Sequence, residues 1–136
     1  MRVNYEIDRD GSMVRVELTG TPLSGEIRAF AAAIGSQGGF ERGMSVLIDA
    51  RRLRVLPRSD EIIPLACLYR TLRTNGDIGC TAIIMDTDAG FGAARLFQIQ
   101  AGDGEPQVAI FRDPDVALEW IDQMHASGMD RAGRIA

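Results

Sequence analysis

Asp49 closes the apolar run Val46-Leu47-Ile48, and Arg51, Arg52, Arg54 and Arg58 follow it before Ser59-Asp60-Glu61. An acid at the carboxyl end of a buried strand stands where α/β domains place their sites. Four arginines in one short loop have the chemistry to grip an anion, a phosphate or an acidic partner. The same arginines can instead pair with Asp60, Glu61 and other surface acids, and such isolated pairs are common and weak. Ser59 is placed to open a helix as its N-cap, with Asp60 and Glu61 suited to the positive helix end. A phosphate on Ser59 would meet helix amides and Arg54 or Arg58, but Asp60 and Glu61 would repel it. Asp86 and Asp88 end the next apolar run, so with Asp49 three acids have the chemistry of a hard-cation site. The structural reading of this trio, with Asp88 capping the helix that follows, is the favoured one.

Other chemistries are thinly represented. All 15 basic residues are arginine, which removes a Schiff-base lysine and a phosphate-loop lysine. A single histidine, His125, makes a zinc site or a histidine-based triad hard to assemble. Cys67 and Cys80 form no CxxC pair and read as two free, buried thiols. Gly90-Phe91-Gly92 lacks the third glycine of a dinucleotide loop, because Arg95 stands there. No nucleophile–base pair, metal-ligand spacing or phosphate loop is legible, so neither a metal nor a cofactor is expected and enzymatic function ranks last.

The bulk properties set the frame. A chain of 136 residues makes one domain with a real core, here assigned to residues 1–128, with 129–136 as a flexible tail. A net charge of −4 argues against general nucleic-acid binding. No apolar run is long enough to span a bilayer, and Met1-Arg2-Val3-Asn4-Tyr5-Glu6 carries no apolar signal region. A cytoplasmic location is therefore expected.

The elements that would position these residues follow from periodicity. Val3, Tyr5 and Ile7 alternate with polar residues, as do Val14, Val16 and Leu18, which predicts two strands. Asp10-Gly11 between them predicts a tight hairpin turn. Thr21-Pro22 opens a helix with a stripe of Leu23, Ile27, Phe30 and Ile34, and Gly35 with Gly38-Gly39 ends it. Val46-Leu47-Ile48 predicts a central strand covered on both faces. The next helix carries Ile62, Leu65, Ala66, Tyr69 and Leu72 on one side. Pro64 implies a separate first turn or a kink, and Asn75-Gly76 closes the helix. Thr81 to Met85 is another buried strand. A third helix runs from about Ala89 to Gln100, with Phe91, Leu96, Phe97 and Ile99 spread around it. Val108 to Phe111 is the last strand, and Asp113-Pro114 caps a fourth helix with a stripe of Ala117, Trp120, Ile121 and Met124, ended by Gly128. The order ββαβαβαβα predicts an α/β domain: one mixed sheet of about five strands, an N-terminal antiparallel hairpin and four helices.

This order and three segments resemble the STAS-like family, the fold of sporulation anti-sigma-factor antagonists. The segments are Val46-Leu47-Ile48-Asp49 with its loop and Ser59, then Gly90 to Phe97, then Val108 to Ile121. The last two are similar to the uncharacterised single-domain branch of that family. In the antagonist branch an Asp-Ser-Ser-Gly motif opens the helix after this strand, and a partner kinase phosphorylates a serine there. Ser59 takes the equivalent position, in the context Pro57-Arg58-Ser59-Asp60. The single-domain branch commonly lacks the motif, and the resemblance to it implies binding of apolar or lipid-like ligands as one role.

Three functions stay open. The first is a non-enzymatic regulatory module that docks a protein partner through the Asp49–Ser59 loop and its flanking helices. The second is a carrier of a small apolar or lipid-like ligand, held in a groove between the third helix and the sheet. That reading predicts a cavity on the order of a few hundred Å³, lined by Leu65, Tyr69, Phe91 and Phe97. The third is an enzyme. A homodimer through an exposed helix face is compatible with any of them.

Overall fold

The structure, a computed structural model, describes residues 2–8, 12–20, 43–76, 78–102 and 108–127, with Gly25 and Ala29. Its elements are β1 (Arg2–Asp8), β2 (Met13–Gly20), β3 (Met44–Leu53), α1 (Ser59–Thr74), β4 (Ile78–Ile84), α2 (Asp88–Ala101), β5 (Val108–Phe111) and α3 (Pro114–Ser127). The five strands form one mixed sheet in the order β1-β2-β3-β4-β5. β1 and β2 are antiparallel, and the β2–β3, β3–β4 and β4–β5 pairs are parallel. Three helices stand among the described residues where four were expected. The expected helix opened by Thr21-Pro22 lies outside the described residues, although Gly25 and Ala29 within its span are helical. The Asp10-Gly11 turn, Gly128 and the tail at 129–136 also lie outside them.

Side-chain alternation divides the helices between two faces. From β3, Val46, Ile48 and Ala50 join a cluster that holds Ala66, Tyr69 and Leu72 of α1 and Ala94 and Ala101 of α2. Leu47 points to the opposite cluster, with Ala82 and Ile84 of β4 and Ala117 and Ile121 of α3. Right-handed crossovers account for α1 and α2 sharing a face, since both connect parallel neighbours that advance in the same direction. Every residue of β4 is buried, as a central parallel strand between helix layers requires. Its register against β3 shifts between Met44↔Ile78 and Val46↔Thr81. This irregularity lets Ile78 and Thr81 face the same side despite their odd spacing.

The element ends have identifiable causes. Arg58, not Ser59, holds the N-cap position of α1. Glu61 accepts from the Arg58 amide at 2.9 Å, and Ser59 becomes the first helical residue. α1 then runs unbroken through Pro64. The carbonyl that Pro64 leaves unpaired is that of Asp60 in the exposed first turn, where water can satisfy it. Thr87, not Asp88, caps α2, its hydroxyl accepting from the Gly90 amide at 3.0 Å. Asp113 caps α3 as expected, accepting from the Asp115 amide at 2.9 Å, with Pro114 at the first helical position. Gly76, at φ 76°, adopts the left-handed backbone that follows the end of α1. Cys67, expected to be buried, is exposed on α1, while Cys80 is buried. Tyr5, on the edge strand β1, stays 48% exposed.

Removing the Asp113 cap by Asp113→Ala should cost about 1 kcal/mol. Urea unfolding of variant and wild type reads this directly, and Asp113→Asn should recover most of the loss.

Candidate functional site

Between α1, α2 and the sheet lies a cavity of about 170 Å³, and its wall is almost wholly hydrocarbon. β3 contributes Val46, Ile48 and Ala50, β4 contributes Thr81 and Ile83, α1 contributes Leu65 and Tyr69, and α2 contributes Ala93, Ala94 and Phe97. Leu53, Leu56 and Pro57, from the end of β3 and the loop before α1, also line it. Its origin is visible in side-chain sizes. Phe97 packs edge-on against Tyr69 with ring centroids 5.5 Å apart, and these rings hold the helices off the sheet. The small residues Gly90, Ala93, Ala94 and Ala50 leave the space unfilled. Gly90 is needed for another reason: a Cβ there would run into the Met85 methyl and come within 2.9 Å of Thr87 Oγ1.

Leu65, Tyr69 and Phe97 therefore stand where the groove reading put them, and Phe91 does not. The Phe91 ring lies under Arg112, whose guanidinium carbon sits 4.4 Å from the ring centroid. Arg112 also donates to Asp86 O at 3.1 Å and to Asp88 Oδ1 at 2.8 Å. Phe91 and Asp88 thus anchor the start of α2 beside the end of β5. The cavity, at about 170 Å³, is also smaller than expected.

Two polar atoms are buried behind this apolar wall. Tyr69 Oη and Thr81 Oγ1 are buried neighbours, close enough to interact with each other. Burial pushes the Tyr69 phenol up to about 12, so it stays a neutral donor at any physiological pH. No charged side chain lines the cavity among the described residues.

The arginine loop resolves into pairs. Arg51 forks onto Asp49, with Nε–Oδ1 at 3.0 Å and Nη2–Oδ2 at 2.7 Å. This guanidinium holds the Asp49 carboxyl below its ordinary value, against a smaller upward push from burial. Arg52 lies 3.8 Å from Glu17, and Arg58 lies 3.1 Å from Asp60. Arg54 donates its amide to Gly20 O and leaves its side chain exposed. The cluster is thus mostly neutralised by its own acids. Ser59 is exposed and open to a partner. Asp49, Asp86 and Asp88 form no metal-ligand group among the described residues, since arginines occupy Asp49 and Asp88.

A nucleophile and a base that looked unrelated in sequence do meet. His125 Nε2 and Ser45 Oγ are 2.6 Å apart, and Cys80 Sγ lies 3.4 Å from the same hydroxyl. Ser45 and Cys80 are fully buried between the sheet and α3. Nothing the size of a substrate reaches that hydroxyl. The contact ties the end of α3 to the start of β3, 80 residues away in sequence. Periodicity could not reveal it, because Ser45 carries no signal until the sheet register is known.

Ser45→Ala removes this contact to His125 and should cost about 0.5–1.5 kcal/mol, read by thermal or urea unfolding. Asp49 titrates lower in the folded chain than its ordinary 3.8. Its contribution to stability is therefore complete above that value and disappears as pH falls through the lowered folded value. The stability gap between wild type and Asp49→Asn should accordingly be present at neutral pH and shrink as the pH falls below the ordinary carboxylate value of 3.8, measured by urea unfolding on both sides of it.

No protein-family model matches the chain, and no curated protein matches it. A search of solved structures matches an uncharacterized protein of the DUF3478 family with a SpoIIAA-like fold, from Shewanella loihica PV-4. The two chains are 18% identical, the match covers 88% of this chain and 92% of that one, and the TM-score is 0.57. Among the described residues no helix is long and apolar enough to cross a membrane. The architecture of this chain is the SpoIIAA-like, STAS-like fold.

Proposed function

We propose that the protein is a non-enzymatic binding module that takes up a small, largely apolar molecule between α1, α2 and the sheet. The cavity of about 170 Å³ with its hydrocarbon wall carries this reading. A cavity of about 150 Å³ lined by Leu, Ile and Phe stays dry and accepts benzene, so this space suits a body of roughly six to eight heavy atoms. A long acyl chain would not fit inside it. Drug-sized sites are larger, at about 300–1,000 Å³.

A regulatory role is compatible with the same site. Leu53, Leu56 and Pro57 line the cavity from the loop that leads to Ser59. That loop is the partner-docking element of the regulatory reading. Occupancy of the cavity would then bear on the loop's conformation, and through it on a protein partner.

Benzene at saturating concentration should raise the melting temperature of the wild type, because a ligand that binds only the folded chain stabilises it by mass action. Ala94→Leu, which extends a buried side chain into the cavity, should abolish that rise while the chain stays folded. An unchanged wild-type melting temperature at saturation would overturn the reading.

A further inference from the structure

We propose that two copies of this chain associate through β1, pairing antiparallel about Tyr5 to make one ten-stranded sheet. The proposal does not depend on what the cavity binds.

An open strand edge presents a row of amides and carbonyls to any other strand, and soluble proteins usually blunt it with a proline, a bulge, a covering element or a very short strand. The two edges of this sheet differ in that respect. β5 is four residues long, and the Gln98 side chain already donates to Val108 O. β1 runs for seven residues without proline or glycine, and its register with β2 is unbroken over all seven positions. The β2–β3 and β3–β4 pairs, by contrast, each carry a register shift. Among the described residues only β2 pairs with β1. Tyr5, at the centre of the strand, is exposed although Val3 and Ile7 on either side of it pack on the core.

The order of residues along β1 selects a second copy as the occupant. A two-fold axis at Tyr5 engages the whole strand, since three residues lie on each side of it. It sets Val3 opposite Ile7 and Asn4 opposite Glu6, each twice, and Tyr5 opposite Tyr5. The apolar pairs fall on the face that already carries the core, and each exposed ring gains an aromatic neighbour. On the other face, Asn4 stands opposite Glu17 and Glu6 opposite Arg15 in the β1–β2 ladder. The pairing therefore builds the row Arg15, Glu6, Asn4, Glu17 across the junction, in which a neutral amide separates two carboxylates. An axis at Glu6 would set that acid against itself, which is unfavourable. An axis at Asn4 would leave the last two positions of the strand beyond the paired stretch.

Sedimentation equilibrium of the full chain tests the proposal. A junction of one strand pair is small, so a dissociation constant on the order of 10 μM is expected. Asn4→Arg puts a cation between the two carboxylates and should tighten the dimer about tenfold, whereas Asn4→Glu puts three acids in a row and should weaken it by about as much. Asn4 is exposed, so neither substitution empties the core. In a Cys67→Ser background, Tyr5→Cys should be joined between copies by a short bismaleimide, because the two positions meet at the axis. Arg15→Cys, one strand further out in each copy, should not be joined. A wild type that is monomeric at about ten times the expected constant overturns the proposal. A dimer that ignores both Asn4 substitutions, or that is not joined through position 5, forms through another face and overturns it as well.

Discussion

The structure depends on the parallel pairing of β3 and β4, buried on both sides. β4 exposes no residue along Ile78–Ile84, so its backbone must be satisfied by ladders to β3 and β5, and each face must be covered by helices. The connections satisfy that demand with α1 and α2 on one face and α3 on the other. Gln98 reinforces the arrangement by donating to Val108 O at 2.6 Å, which ties α2 to the strand that follows it. Trp120 packs on Phe111 across the other face, with ring centroids 5.7 Å apart.

The two faces are filled differently. Under α3, Ala117 at 0% exposure and Ile121 at 2% come close to Ala82 and Ile84, and the contact is dense. Under α1 and α2, large rings and small residues are mixed, and the helices rest on Tyr69 and Phe97 as on props. Native cores rarely leave voids larger than a water molecule, because each empty volume forfeits dispersion contacts. A retained apolar void is a departure from that norm, and such departures concentrate at sites of function.

Charge plays a secondary part. The carboxyl edge of the sheet is crowded with Asp49, Asp86, Asp88 and Asp113, and Arg51 and Arg112 are the counterweights. Arg51 fixes the end of β3 through Asp49, and Arg112 fixes the start of α2 through Asp88 and Phe91. The loop that looked like an anion receptor is mostly self-neutralised. Exposed pairs of this kind contribute little stability each, but they set where the loop residues lie.

Much of this was legible in the residues. Alternation in β1 and β2, the apolar runs in β3 and β4 and the stripe of α3 announced the element types and their order, because periods of two and 3.6 are local properties of the backbone. Local pattern also placed Leu65 and Tyr69 on one inward face. It misplaced the caps of α1 and α2 by one residue, since Arg58 and Thr87 won through hydrogen bonds that depend on the turn preceding each helix. It put Phe91 in the groove because nothing local announces Arg112, which arrives from 21 positions further along the chain. The sequence by itself determined the elements, their faces and the lack of charge among the inward residues. Only the tertiary structure decided that small residues on α2 would oppose Ala50 and leave a void, that Tyr69 and Thr81 would meet behind its wall, and that Ser45 would meet His125. Those three outcomes depend on register and helix placement, which come from packing across the sheet and are written in no single segment.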